Sequence, residues 1–330
     1  MLEEVQMQSM DGAIIDTENA GVRFCAIGDS VIDYNMSLMK MFAGGNAYNF
    51  AMLCRRLGYE SSYIGVVGSD DAGKLIRRTL EAQGVGIDHL AVHEGQSGLC
   101  RIDLVDGNRT ITDINDHGVT KTDPLQLTDE MLETISGHDL IHTSCYSFLE
   151  TQIPNMKSTG VPVLYDASDK WTNESLLLRS REVDYLLFSG KDQPLHKLEP
   201  VIRPLAGEGS CRLAIVTSGA EGAIVYDGRE FFRVEPFFAS EPIIDSTGAG
   251  DHWIVGFITT WIRGKKIRRQ FGRNSLIQPP WKADDADDVL YDRALMQLAL
   301  YTGNVMARYG CMHEGSFGVG FPFSGREEFL

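Results

Sequence analysis

The residues with the strongest claim to chemistry are Asp245-Ser246-Thr247-Gly248-Ala249-Gly250-Asp251, set between a short strand-like stretch, Pro242 to Ile244, and an apolar run from Trp253 to Ile262. That order predicts a helix beginning inside the heptapeptide. Amides of a first helical turn have no partner within their own helix, and small residues let a ligand approach the backbone closely. Gly248, Ala249 and Gly250 would then form an anion hole. A carboxylate at the same terminus can draw a proton from a hydroxyl while the amides steady the charge on a transferred phosphoryl group, so Asp251 is a candidate base. Taken alone, Gly-Ala-Gly-Asp is better explained as a turn with a capping aspartate.

A second constellation shifts that balance. Gly44-Gly45-Asn46-Ala47-Tyr48-Asn49-Phe50-Ala51 also stands at a loop-to-helix entry. Its two glycines would let a small polyol lie against the backbone, and the Asn49 amide can both donate to and accept from hydroxyls. Asp29 and Asp33 follow the first predicted strand, at the carboxyl end where open α/β sheets place their ligands, and carboxylates there can hold adjacent hydroxyls.

The elements that must position these groups are legible as alternating runs. Val22 to Gly28 reads as a buried strand, and Asn46 to Leu57 has helical spacing with Gly58 as its stop. Ser61 to Gly68 is a second strand, and Asp70 to Gln83 a second helix ending at Gly84. Short alternation from Ser97 to Gly118, with Asp106-Gly107 at its turn, predicts a β-hairpin that leaves the main layer as part of a small lid. From Asp139 onward four apolar runs (Asp139 to Cys145, Val161 to Asp166, Asp184 to Ser189, Leu213 to Ser218) are separated by helix-sized intervals, a βαβ series. Ala223 to Val234 reads as a second hairpin. The prediction is an α/β fold, a three-layer α/β/α sandwich with a mostly parallel central sheet and a β lid.

Some patterns are decoys. Gly68 to Leu75 nearly spells a phosphate-binding loop, but Leu75 stands where a hydroxyl must reach Mg²⁺, and Asp70 and Asp71 would repel phosphate. His138 and His142 have a metal-like spacing, yet they bracket a strand and read as ordinary histidines. Arg109, in the lid hairpin, suits a substrate carboxylate or phosphate as well as it suits plain solvation.

Charge and composition exclude partners. The 330 residues carry 30 Lys+Arg against 46 Asp+Glu, a formal charge of −16, which argues against nucleic acid because phosphate neutralisation needs a basic field. Six scattered cysteines with no CxxC pair predict buried thiols in a reducing cytoplasm. No run of 18 apolar residues occurs, and the acidic lead-in (residues 1–21) lacks a secretory pattern, so a membrane role is not expected.

Together these motifs resemble the ribokinase-like, phosphofructokinase-B-type carbohydrate kinase family, from Val22 to about Gly310. The resemblance rests on GGNAYNFAMLCRRLG (Gly44 to Gly58), GVVGSDDAG (Gly65 to Gly73), VTSGAEGAIVYDG (Val216 to Gly228) and DSTGAGD (Asp245 to Asp251). It implies transfer of the ATP γ-phosphoryl group to a sugar hydroxyl with Mg²⁺. By position it gives Asp251 the base role, Gly248, Ala249 and Gly250 the anion hole, and Asp33, Gly45 and Asn49 the sugar side, beside which Asp29, Gly44 and Arg109 stand as substrate-side candidates read from the residues themselves. Thr217, Gly219, Gly222 and Thr247 fall to the nucleotide side. It also implies one kinase domain over residues 22–330, with lid segments near 34–43 and 97–118, a charged surface insertion near 264–292, and possible pairing of lids in a homodimer. Members commonly carry an Asn-x-x-Glu motif that organises Mg²⁺; here Ser189-Gly190-Lys191-Asp192 stands in its place, leaving Asp192 as the metal-side carboxylate. Within the family, DLIHTSCYSFLE and YDASDKW look like the fructosamine-kinase branch, so a fructosamine (fructoselysine-like) substrate is expected first, a nucleoside or simple ketohexose next, and a non-catalytic ligand-binding regulator as the rival of another class.

Overall fold

A computed structural model describes residue 19 and residues 21–105, 108–207, 209–237, 242–274 and 285–323, side chains at 104–105, 108–111, 271–274 and 285–287 excepted. The chain opens with β1 (Arg23–Gly28), β2 (Val31–Asn35), β3 (Lys40–Gly44), α1 (Asn46–Arg56), β4 (Glu60–Gly68), α2 (Asp71–Ala82) and β5 (Leu90–His93). A hairpin of β6 (Gly98–Val105) and β7 (Asn108–Ile114) leads to α3 (Val119–Thr122), α4 (Asp129–Ser136), β8 (Leu140–Ser144) and α5 (Ile153–Ser158). Then come β9 (Val163–Asp166), α6 (Asn173–Ser180), β10 (Tyr185–Ser189), α7 (Leu195–Ile202), β11 (Leu213–Thr217), β12 (Ala223–Tyr226) and β13 (Phe231–Val234). Two long helices, α8 (Ala249–Asn274) and α9 (Asp285–Gly310), and the short β14 (Phe321–Pro322) close it.

Nine strands form the main sheet in the order β13-β12-β11-β10-β9-β8-β1-β4-β5. All its pairs are parallel except β11–β12 and β12–β13. Successive residues of β1 face opposite sides, as the strand period requires. Phe24 and Ala26 join a core with Phe50, Trp253, Phe257 and Met296, supplied by α1, α8 and α9. Cys25 and Ile27 join another with Ile135, Met156, Leu176 and Leu198, supplied by α4 to α7. Burial on both faces is why these strands read as unbroken apolar runs. The expected three-layer sandwich is the fold.

The second sheet, β14-β3-β2-β6-β7, contains both expected lid segments. Its middle was not legible as strand: β2 pairs with β6 in parallel, Val31 opposite Gly98, and with β3 in antiparallel, Asp33 opposite Phe42. The turn at 106–107 lies outside the described residues.

Two expectations need correction. Pro242 to Ile244 is not a strand; the Ile244 and Asp245 amides donate to the carbonyl of Cys311 at 2.9 and 3.4 Å, so the end of α9, not a neighbouring strand, holds this segment. The charged stretch at 264–292 is largely two helix ends, since α8 continues to Asn274 and α9 begins at Asp285. Opposite charge draws them together, through Lys265 to Asp292 at 2.8 Å and Arg268 to Asp288 at 2.7 Å; residues 275–284 lie outside the described residues, as does nearly all of the lead-in.

Phe24, fully buried, meets Phe50 and Tyr59 edge to face at 6.0 and 5.1 Å. Phe24→Ala should lower the unfolding free energy by about 3–5 kcal/mol, seen as a lower urea midpoint at unchanged m-value.

Candidate active site

Two helices begin at the same edge of the main sheet, and each start is held by an aspartate that precedes it. At α1 the cap position is Gly45, which has no side chain to offer, and the capping group is the Asp29 carboxylate, which accepts from the Asn46 amide at 2.6 Å and the Ala47 amide at 3.3 Å. An anion there also suits the positive end of the helix. Asp29 takes two more hydrogen bonds, from the hydroxyls of Ser144 (2.7 Å) and Ser147 (2.9 Å). Gly45 has φ +109°, and a Cβ on it would stand 2.9 Å from the Ser30 Cα and 3.0 Å from the Asp29 carbonyl oxygen, so only glycine fits. At α8 the Asp245 carboxylate accepts from the Thr247 amide (2.8 Å) and from the Gly315 amide (2.8 Å), tying the heptapeptide to the loop after α9.

Between these starts the expected side chains converge. The Asn49 amide nitrogen donates to Asp251 Oδ2 at 2.6 Å and to Ser316 Oγ at 3.2 Å. With its nitrogen committed, Asn49 Oδ1 is turned inward; Asn49 is 4% exposed and this oxygen has no hydrogen-bond partner among the described residues. It faces the space over Gly44, where a Cβ would meet Asp33 Oδ2 at 3.0 Å and Asn49 Oδ1 at 3.8 Å. Gly248, at φ +74°, packs against Ser316, leaving no room for a side chain. At Gly250 an added Cβ would touch nothing within 4 Å, so the first turn of α8 borders open space.

The residues predicted for the nucleotide side form a second group on the same carboxyl edge of the sheet. Thr217 ends β11 and its carbonyl accepts from the Gly190 amide at 2.7 Å. Gly219 and Gly222 close a tight turn in which the Ser218 amide donates to the Gly222 carbonyl (2.8 Å). The Asp192 carboxylate lies directly against Gly219. Thr247 is 2% exposed and its hydroxyl has no partner among the described residues.

The pattern of a pfkB family carbohydrate kinase matches residues 23–272. The chain belongs to that family. It is 34% identical over 241 residues, 73% of its length and 84% of the relative's, to the fructosamine kinase FrlD of Bacillus subtilis (strain 168). With the fructoselysine 6-kinase of Escherichia coli (strain K12) it shares 32% over 246 residues, 73% and 90% of the two chains. Solved structures agree on the fold: a Giardia lamblia ribokinase superposes with TM-score 0.70 at 14% identity, over 89% of this chain and 94% of the other. A Vibrio cholerae O395 fructokinase with fructose, ADP and calcium bound gives 0.66 at 21%, over 90% and 95%.

In this kinase some of the sequence-predicted groups turn out to be spent on structure. Asp29 has four donors on its carboxylate and so anchors α1 instead of offering itself to hydroxyls. Of the three candidate anion-hole amides, that of Ala249 is turned back onto the Ser246 carbonyl at 3.1 Å. The Arg109 side chain lies outside the described residues; its backbone is in β7, opposite Leu104. Asp70, in the rejected phosphate loop, caps α2 and accepts from the amide and hydroxyl of Ser97, which confirms that phosphate has no place there. His142 packs flat on Phe50 at 4.4 Å inside the core, and no group of three or more His, Cys, Asp or Glu able to hold a metal ion occurs among the described residues.

Sequence reasoning missed Ser316 and Asp166. Ser316 sits in a glycine-flanked loop with no periodicity to mark it. Asp166 ends β9, where its carboxylate accepts from the Asn46 side chain (3.0 Å) and the Ser168 amide (2.7 Å); its position at a strand's carboxyl end was the available signal. Burial pushes its carboxyl up to about 7, the Ser168 amide opposes that, and the negative charge of Asp29 adds to it. A cavity of about 980 Å³ lies elsewhere, where His138, Pro162 and Tyr185 meet Lys265, Lys266 and Arg293. It contains none of the predicted site residues, and Lys265, Lys266 and Arg293 are paired to Asp292, Asp139 and Glu230.

Asp166 yields a pH prediction. A folded carboxyl with a raised pKa holds its proton while the unfolded one has lost it, so stability falls as pH rises from about 4 to about 7. Asp166→Asn removes that loss. Its melting temperature should match the parent near pH 4 and exceed it above pH 7, by about 4 kcal/mol in stability; a gap independent of pH would contradict the burial argument.

Proposed function

We propose that this kinase transfers the γ-phosphoryl group of ATP to a hydroxyl of a sugar-amine adduct, a fructosamine. The observation that carries the reading is the pairing of Asn49 with Asp251 at the first turn of α8, with the other end of the Asn49 amide buried and lacking a donor. A substrate hydroxyl lying over Gly44 can satisfy that oxygen, and Asp33 can hold a neighbouring hydroxyl. Asp251 then takes the proton of the attacking hydroxyl as its oxygen bonds to the γ-phosphorus and the bond from that phosphorus to the bridging oxygen breaks, releasing ADP. Gly248 and Gly250, at the positive end of α8, stabilise charge on the phosphoryl oxygens. The fructosamine specificity is supported by the names of the relatives at 34% and 32% identity.

On the nucleotide side, Thr217, Gly219, Gly222 and Thr247 are assigned to ATP. The unpartnered Thr247 hydroxyl is a group a phosphate oxygen can satisfy. Asp192 is the carboxylate assigned to Mg²⁺. A single carboxylate beside a nucleotide loop fits this ion, which keeps much of its water and leans on substrate phosphates. When bound, it supplies positive charge to those phosphates. A cytoplasmic location accords with six unpaired thiols, and among the described residues no helix is long and apolar enough to cross a membrane.

Asp251→Asn should fold with an unchanged melting temperature and lose about 100- to 10,000-fold in kcat, the usual worth of a general base. ATP consumption over a panel of ketoses, nucleosides and fructosamines measures this. Near-normal turnover by the variant would remove Asp251 from the base role, and a nucleoside as preferred acceptor would overturn the substrate assignment.

A further inference from the structure

The substrate proposed above differs from a plain ketose in one respect that matters electrically: its secondary amine is protonated at neutral pH. A cation entering a site needs a counter-charge or an aromatic face. Both are present beside the sugar position. Asp166 is buried, and each of its carboxylate oxygens accepts one protein hydrogen bond, from Asn46 or Ser168, leaving acceptor capacity on both. Asp169, three residues on and exposed, accepts from the Tyr146 hydroxyl at 2.7 Å. The His117 ring stacks on Tyr146, with centroids 5.3 Å apart and planes 29° apart, and meets Phe148 at 5.3 Å. Burial lowers the His117 pKa, keeping that ring neutral. Lys170 is exposed and forms no ion pair with either carboxylate among the described residues.

An independent feature fixes where the other end of the ligand must lie. The buried, donorless Asn49 Oδ1 marks the hydroxyl position next to Asp251. Asn46, one turn earlier on the same helix, points its amide to Asp166. Side chains three apart on a helix are roughly 5–6 Å apart at Cβ and share a face, so α1 holds the two carboxylates at neighbouring positions, one at each asparagine. In an amine adduct of a ketohexose the nitrogen is on one terminal carbon and a primary hydroxyl on the other.

We infer that Asp166 and Asp169, with the rings of Tyr146 and His117, receive the substrate ammonium and so select amine adducts over neutral ketoses. This rests on the fructosamine reading. Asp29 contributes its charge to the same region without contact, since its oxygens are already occupied.

The test compares two acceptors of the same shape, N-butyl-fructosamine and 1-O-butyl-fructose, in which a neutral ether replaces the ammonium. The quantity measured is the ratio of their kcat/KM values. For the parent enzyme the amine should be favoured by about tenfold or more, the usual worth of a hydrogen bond to a charged group. Asp169→Asn, an exposed site that should not disturb folding, should reduce that ratio about tenfold through KM of the amine; Asp166→Asn should do the same. Equal use of both acceptors by the parent enzyme would overturn the inference while leaving the kinase reading intact. A ratio unmoved in both variants would likewise overturn it. Phosphorylation of neither acceptor, with a nucleoside consumed instead, would sink the fructosamine reading and this inference with it.

Discussion

The hydrogen bond from the Asn49 amide to the Asp251 carboxylate is the point on which the site depends. It joins the first turns of two helices that arrive from different parts of the chain, 202 residues apart. The bond does two things. In the proposed reaction it fixes the direction of the carboxylate that would face an incoming hydroxyl, and it leaves the other end of the asparagine for the substrate. A hydrogen bond to a charged acceptor is stronger than a neutral one, so the amide is not free to flip.

That bond holds only because both helix starts are themselves pinned. Asp29 and Asp245 are almost fully buried, and each spends its carboxylate on main-chain amides of the segment it secures. Leaving either aspartate unpaired would be costly, since a buried charge needs donors. Four aspartates thus divide by environment: Asp29, with four donors, and Asp245, with two main-chain amides, hold helix starts, Asp251 is the proposed base, and Asp166 is raised towards neutrality by desolvation. Residue type does not separate them. The groups around each do.

The sequence makes the sheet legible because its parallel strands, buried on both faces, read as apolar runs, as in Tyr185–Ser189 and Leu213–Thr217. Glycines after Leu57 and Gln83 likewise mark real helix ends. The site was legible where both partners lie in recognisable helix-entry motifs, as Asn49 and Asp251 do although 202 positions separate them. It was not where a distant partner carries no motif of its own. Ser316 reaches Asn49 across 267 positions, and Asn46 reaches Asp166 across 120. Asp29 looked like a free ligand because its two serine donors lie more than 100 residues downstream. Pro242 to Ile244 looked like a strand from its apolar residues, although Ile243 and Ile244 are half exposed and the Ile244 amide is tied to Cys311. Local composition does not report what lies across the cleft.

One connection has a wider consequence. The second sheet passes into α1 through a single residue, Gly45, between the end of β3 and Asn46. A helix turns by about 100° with each residue. One extra amino acid at that junction would swing Asn46 and Asn49 around the helix axis and away from both carboxylates, and would turn Phe50 and Leu53 out of the core with them. Chain length here is therefore as binding as side-chain identity, and the junction tolerates neither insertion nor deletion.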